Sequence, residues 1–285
     1  MKHLPFTALA LAGLLSPACA GVQFGPLRGK PGESVRLVTH SETTGGTRSQ
    51  TLAGQTTSGS IAITRERDLT WTFRAPAADG TRRGMVKVAA LTSSTRTMLG
   101  GKEDLVVDAS PLKGKLFAMS KTPTGDWKFE LDGSVPLSRV KHEIEELTVY
   151  LKRDWYPAKP VELGESWEFD PAWVKMVIQK DLVKAQTIGT MRLRQVRRAV
   201  GRQQAIIDVS IRSTGGDYKT DGTVITATVE LTGQVTVNLD TMLDESLELT
   251  GTITTTSDRV SDVTKTKLPV KLTVTKSFVS DSAFP

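Results

Sequence analysis

The chain has 285 residues, with 37 lysines and arginines against 31 aspartates and glutamates, which gives a net charge of +6. This mild positive charge does not indicate nucleic-acid binding. One cysteine and three histidines are too few for a disulfide scaffold or a cysteine–histidine zinc site. The 37 threonines indicate a strand-rich protein, because β-branched side chains favour strands.

The N-terminus has the three parts of a secretory signal: a positive charge, an apolar stretch over residues 4–15 and small residues around Cys19. Cleavage after Ala20 would remove the whole signal. In the alternative, Cys19 becomes the first mature residue and carries a lipid. We therefore expect 1–20 to be a signal peptide and the protein to be exported, either periplasmic or extracellular. No later segment is apolar for long enough to form a transmembrane helix.

The clearest pattern lies near the C-terminus, where residues 225–239 alternate between apolar and polar side chains. This alternation predicts a long strand with one buried face, and Gly233 suggests a bend or bulge within it. Residues 247–254 and 268–278 repeat the alternation after short connections. Three such strands in succession predict an antiparallel meander.

A further hairpin is predicted from residues 191–198 and 205–211, with Gly201 at its turn. The first strand of this hairpin is rich in arginine. On a regular strand three of these arginines would share one face and could bind an anionic partner: Arg192, Arg194 and Arg198.

The first half of the chain shows shorter strand patterns, and the Ser/Thr/Gly-rich span 41–60 predicts either two edge strands or a mobile loop. Pro31–Val35 resembles Leu163–Trp167, since both contain Gly-Glu-Ser before an apolar residue. Residues 21–285 are expected to form a single β-rich domain. An internal duplication into related halves, 21–155 and 156–285, is left open.

Two central segments predict helices, over residues 138–152 and 171–183. In the first, apolar residues recur at helical spacing and Ser138 is suited to the N-cap. In the second, Asp170 is suited to the N-cap and Pro171 to the first turn.

No motif for catalysis or metal binding is complete. His142 and Glu143 begin the zinc-protease pattern His-Glu-x-x-His, but Glu146 occupies the place of the second histidine. No serine lies in a nucleophile-elbow pattern. We therefore predict no catalytic residue, no metal and no cofactor. The acidic residues of the central segment keep a carboxylate-based hydrolase as a third hypothesis.

The segment Tyr156-Pro157-Ala158-Lys159-Pro160-Val161-Glu162-Leu163-Gly164-Glu165-Ser166-Trp167 resembles a pattern that opens the second half of certain exported bacterial proteins. In architecture these are similar to LolA-type lipoprotein carriers, in which helices cover a curved antiparallel half-barrel. The predicted fold is therefore mainly β: a large curved antiparallel sheet or half-barrel with two short helices inserted mid-chain. A β-sandwich is the alternative.

The function expected from this architecture is non-catalytic binding of a lipid or other hydrophobic ligand on the concave apolar face of the sheet. Burial of an acyl chain there would contribute about 0.8 kcal/mol per methylene. The alternative is a structural or adhesive envelope protein that contacts a polymer or protein partner. The candidate ligand-binding residues are Val229, Leu231, Val237, Leu249, Leu272 and Val274 on the sheet, and Val140, Ile144, Leu147, Val177 and Ile178 on the helices.

Overall fold

The computed structural model describes residues 21–131, 137–171, 186–199, 201–218, 222–259 and 262–279. The predicted signal peptide, with Cys19, lies outside these residues, as does the predicted second helix from residue 172 onward, with Val177 and Ile178. The described part contains one helix, α1 (Leu137–Lys152), which confirms the predicted first helix. None of its helical segments is long and apolar enough to cross a membrane.

Twelve strands are described: β1 (Ser34–Leu52), β2 (Gln55–Arg74), β3 (Arg82–Leu99), β4 (Lys102–Ala109), β5 (Leu116–Lys121), β6 (Trp127–Glu130), β7 (Ser166–Phe169), β8 (Gln186–Ala199), β9 (Arg202–Tyr218), β10 (Val224–Asn238), β11 (Leu243–Arg259) and β12 (Asp262–Val279). They form one antiparallel sheet in the order β6-β5-β3-β2-β1-β12-β11-β10-β9-β8-β7, and β4 pairs with β3. The prediction of a mainly-β curved antiparallel sheet is confirmed. The sandwich alternative is not found, because the described strands share one sheet.

Pairing between β1 and β12 brings the first and last described strands together at the centre of the sheet. On either side of this pair the strands follow in chain order, outward to β6 and to β7. The sheet is open between these two edges, where the chain passes through α1. Among the described residues, the chain therefore connects the two edge strands, β6 and β7, through the helix and not through a further strand.

The Ser/Thr/Gly-rich span 41–60 forms neither edge strands nor a loop, which corrects the expectation from the sequence. It belongs to β1 and β2, which lie in the interior of the sheet and turn at Ala53 and Gly54. Both turn residues have positive φ, 48° and 81°, as tight hairpin turns require. Threonine favours extended backbone, and paired strands satisfy its backbone groups without a buried face.

The hydrophobic core lies at one end of the long strands. Val35 and Leu37 begin β1, Leu69 and Trp71 lie near the end of β2, and all four are buried. Strands β8 to β12 contribute further buried side chains, and α1 adds Val140 and Leu147 to the same cluster. The helix therefore covers this end of the sheet, whereas the other end is largely exposed.

Two turns with related sequences have the same local geometry. Gly32 and Gly164 have φ values of 88° and 85°, which a residue with a side chain rarely adopts. In each turn the next residue, Glu33 or Glu165, accepts a hydrogen bond from the backbone N–H three residues earlier, at 2.7 and 2.9 Å. Both turns lead into a strand, β1 or β7. The likeness is local, and the relation between the halves stays a prediction.

Glycines allow two neighbouring strands of the meander to approach closely. A Cβ on Gly233 would lie 1.8 Å from the Glu248 carbonyl oxygen, and one on Gly251 would lie 1.9 Å from that of Glu230. The register of β10 and β11 shifts elsewhere, between Thr236 and Val237. Gly233 therefore marks a close approach of the two backbones, and the shift in register lies farther along this pair of strands.

We predict that Gly251→Ala lowers the free energy of unfolding by about 1–3 kcal/mol, because the added methyl group forces the two backbones apart. Urea unfolding followed by circular dichroism measures the change. Gly25→Ala is the matched control, since a Cβ at that position meets nothing within 4 Å. Equal stability of the two variants would contradict the close approach.

Candidate functional site

A cleft of about 520 Å³ opens between the N-terminal segment (residues 21–33), the end of α1 and the neighbouring ends of β2, β3 and β5. Its volume lies within the range typical of small-molecule sites, about 300–1,000 Å³. Five aromatic residues line it: Phe24, Trp71, Phe73, Trp127 and Tyr156. Leu27, Leu151 and Met242 add aliphatic surface. The lining therefore suits an apolar or aromatic ligand.

The N-terminal segment is held against the rest of the protein by an aromatic stack and by backbone hydrogen bonds. The rings of Phe24 and Tyr156 lie 4.6 Å apart with an angle of 15° between their planes. Val22 forms an antiparallel bridge with Val161, with N–O distances of 2.8 and 2.9 Å. The wall of the cleft formed by this segment is therefore attached to the core.

A buried ion-pair cluster adjoins the cleft, with Asp244 at its centre. Arg153 donates from Nη2 to Asp244 Oδ1 at 2.7 Å and from Nε to Oδ2 at 3.3 Å. The Tyr156 hydroxyl donates to Oδ1 at 2.7 Å, and Lys276 Nζ donates to Oδ2 at 3.3 Å. Arg153 also donates to the Gly25 carbonyl at 3.0 Å. The cluster thus connects β11, β12, the segment after α1 and the N-terminal segment.

The pKa values of the cluster follow from burial and charge pairing. Burial raises the pKa of Asp244, whereas the positive charges of Arg153 and Lys276 lower it. The lowering is larger in total, so the pKa of Asp244 falls from 3.8 to about 2. Burial and the nearby carboxylate raise the pKa of Tyr156 well above its usual value. Burial lowers the pKa of Lys276, and Asp244 opposes that shift. The carboxylate is therefore ionised and the tyrosine protonated across the physiological range.

Sequence patterns did not identify this cluster, although one signal was present. Lys276 occupies the apolar side of the alternating segment 268–278, between Val274 and Phe278. A lysine on a buried face needs an acidic partner. The sequence pattern does not reveal this partner, because the register of β10 and β11 shifts between Thr236 and Val237. The shift pairs the buried Val237 with Asp244 instead of Glu245 and so places Asp244 on the buried face.

Arg153 was not predicted as a site residue either, and its backbone conformation is unusual. It follows α1 with a φ of 55°, in the left-handed region where glycine is the common residue after a helix. A non-glycine residue there costs about 1–2 kcal/mol of backbone strain. The guanidinium group's bonds to Asp244 and Gly25 offset this strain.

Among the predicted ligand-binding residues, the described ones belong to the core. Ile144 is partly buried, and the others are buried: Val140, Leu147, Val229, Leu231, Val237, Leu249, Leu272 and Val274. A cavity of about 30 Å³ adjoins Val274 and Lys276. This is about the share of liquid volume of one water molecule. Ligand binding by these residues stays a prediction.

The three predicted anion-binding arginines do not share a face. A register shift between Leu193 and Gln195 places the bulge at Arg194 and reverses the alternation beyond it. Arg192 pairs with Asp208, whereas Arg198 pairs with Gln203, so these two arginines lie on opposite faces. Arg194 lies 3.6 Å from an oxygen of Asp208. Binding of an anionic partner by this group stays a prediction.

The described acidic residues form no cluster that suits a metal ion. Asp244 is the one acidic side chain among the described residues that line the cleft. It is occupied by two cations and a hydroxyl group. The lining therefore contains no second carboxylate to pair with it in glycoside hydrolysis.

Comparisons with known proteins leave the family open. No protein-family model and no curated protein matches this sequence. Solved structures with limited similarity include Pseudomonas aeruginosa OccK7 (OpdD), with a TM-score of 0.28 and 5% identity over 87% of this chain and 100% of that one. Another is the botulinum neurotoxin serotype C1 binding domain, with a TM-score of 0.15 and 9% identity over 84% and 78% of the two chains. These TM-scores lie below 0.5, so neither likeness indicates a shared fold or function.

We predict that Asp244→Asn lowers the free energy of unfolding at pH 7 by about 3–5 kcal/mol, because it leaves Arg153 and Lys276 buried without a counter-charge. Urea unfolding measures the loss. Asp208→Asn, which removes the exposed partner of Arg194, is expected to cost less than about 1 kcal/mol. A cost at Asp244 no greater than at Asp208 would contradict the role of the cluster.

The lowered pKa of Asp244 also predicts a pH dependence. Folding favours its ionised form, so this stabilisation is present above pH 3.8 and is lost as the pH falls towards about 2. The difference in unfolding free energy between the wild type and Asp244→Asn should therefore narrow over that interval. A difference that stays constant from pH 5 to pH 2 would show that the Asp244 pKa is not lowered.

Proposed function

We propose that this protein is an exported, non-catalytic binding protein of the cell envelope that holds a lipid or other hydrophobic ligand. The observation that carries the proposal is the aromatic cleft of about 520 Å³ between the N-terminal segment, the end of α1 and the ends of β2, β3 and β5. The secretory signal pattern of residues 1–20 supports export.

The proposed ligand position differs from the one expected from the sequence. The apolar face of the sheet is occupied by its own contacts with α1 and with Trp155, and the adjoining cavity measures about 30 Å³. The cleft, by contrast, is large enough for a ligand and is bordered by rings that the core leaves partly exposed, including Phe73 and Trp127. We therefore place the ligand beside the filled core.

The walls of the cleft are suited to holding a ligand without large rearrangement. The cluster around Asp244 connects β11, β12, the segment after α1 and the N-terminal segment, and the Phe24–Tyr156 stack holds the N-terminal segment at a second point. A preformed site loses little conformational freedom on binding, so more of the contact energy contributes to affinity.

Strand β4 favours a second candidate function, that of a structural or adhesive envelope protein that contacts a partner. Its consecutive residues Leu105, Val106 and Val107 are 51%, 55% and 66% exposed. β4 pairs only with β3 among the described strands, at the end of β3 away from the cleft. Exposed apolar edge strands are surfaces for pairing with another chain. Loss of self-association in Val106→Lys, measured by sedimentation, would test a second copy as the partner.

We predict that the protein binds the neutral probe N-phenyl-1-naphthylamine in the cleft and that Trp127→Ala weakens this binding about tenfold, because the variant removes an aromatic wall. Fluorescence titration measures the affinity. Phe129→Ala is the matched control, because Phe129 is a partly buried ring on the same strand and packs on Phe117 outside the cleft lining.

Absence of probe binding by the wild-type protein would overturn the proposed function. So would an equal loss of affinity in Trp127→Ala and Phe129→Ala, since the ring in the cleft would then have no special role. Circular dichroism spectra of both variants show whether each one is folded.

A further inference from the structure

The same cleft contains an excess of positive charge that the apolar rings do not explain. Five basic side chains line the end of the cleft formed by the strand ends and α1: Arg74, Arg82, Arg83, Lys121 and Lys152. They are separate from Arg153 and Lys276, which both pair with Asp244. Near the five, Lys152 pairs with Asp126 at 2.9 Å. Asp126 also interacts with Lys121, and Asp79 with Arg83.

Four of these side chains form two like-charge pairs across neighbouring strands. Arg74 of β2 lies opposite Arg83 of β3, and Arg82 of β3 lies opposite Lys121 of β5. Because Arg82 and Arg83 are consecutive, the two pairs lie on opposite faces of the sheet, and Arg82 and Lys121 share the face of Phe73. Like charges directly opposite each other destabilise a sheet. Asp154 also acts on Lys152, so three nearby carboxylates (Asp79, Asp126 and Asp154) stand against the five positive charges, and a surplus of positive charge stays at this end of the cleft.

We propose that the ligand is an anionic amphiphile, whose carboxylate, sulfate or phosphate oxygens are bound by the basic side chains that line this end of the cleft and whose apolar part lies against the aromatic rings. This inference rests on the proposed function and adds the charge of the ligand. Arginine forms paired hydrogen bonds with such oxyanions. The anion adds negative charge beside basic side chains that outnumber the nearby carboxylates.

Two probes with the same ring framework test the charge separately from the apolar contact. Both are N-phenylnaphthylamines: the neutral N-phenyl-1-naphthylamine and the anionic 8-anilinonaphthalene-1-sulfonate. We expect the wild-type protein to bind the sulfonate at least about tenfold more tightly, because hydrogen bonds to charged groups are stronger than neutral ones. The preference should fall as salt is raised.

The double variant Arg74→Gln/Arg82→Gln is expected to lose this preference and to keep its affinity for the neutral probe. It removes one charge from each like-charge pair, so its unfolding midpoint should not decrease. The matched control, Arg192→Gln/Arg198→Gln, removes two exposed charges from β8 and should keep the preference. Equal affinity of the wild type for both probes would overturn the inference, as would loss of the preference in the control alone.

Competition then distinguishes the sources of the anion. Displacement of the sulfonate probe by palmitate or lysophosphatidic acid, but not by zwitterionic lysophosphatidylcholine, would support the proposal, and the stronger competitor would identify a carboxylate or phosphate headgroup. Displacement by lysophosphatidylcholine alone would contradict it. If the neutral probe itself does not bind, the proposed function fails. If it binds without charge preference, only this inference fails.

Discussion

The buried carboxylate of Asp244 is the contact on which the cleft depends. A carboxylate is costly to bury, and here two cations and a tyrosine hydroxyl offset that cost. Arg153 belongs to the segment after α1, Lys276 to β12 and Asp244 to β11, and Gly25 bonds to the same guanidinium. Because each partner comes from a different part of the chain, loss of the carboxylate would release the covering segments from the sheet.

This arrangement explains why the cleft and the core are adjacent but distinct. The strand ends near β1 and β12 are filled with side chains from the sheet and α1. Beyond the ion-pair cluster, the rings of Phe73 and Trp127 border open space. Charge follows the same division: Asp244 pairs with the two cations on the core side, whereas Arg74 and Arg82 lie where the cleft opens.

Local patterns were enough to predict much of the fold but little of the site. Alternation over residues 225–239 predicted β10 because a strand's period of two is visible within one segment. The β1–β12 pair was not predictable, since it joins distant segments. Bulges at Arg194 and Glu245 reverse the alternation, and no sequence pattern marks them. The prediction that three arginines share one face of β8 was therefore wrong, and Asp244 was not recognised as a buried residue. The two Gly-Glu-Ser turns could be recognised from the sequence, because glycine is the residue that most readily adopts the positive φ of such turns.

Photolabelling with a palmitate that carries a diazirine in its acyl chain tests the central claim most directly, because peptide mapping then reports where the chain lies. The account predicts that labels concentrate on peptides from the cleft, around Leu27, Phe73, Trp127 and Tyr156. Unlabelled palmitate should prevent this labelling. Labels on β4, or spread over the sheet without competition, would contradict a ligand site in the cleft.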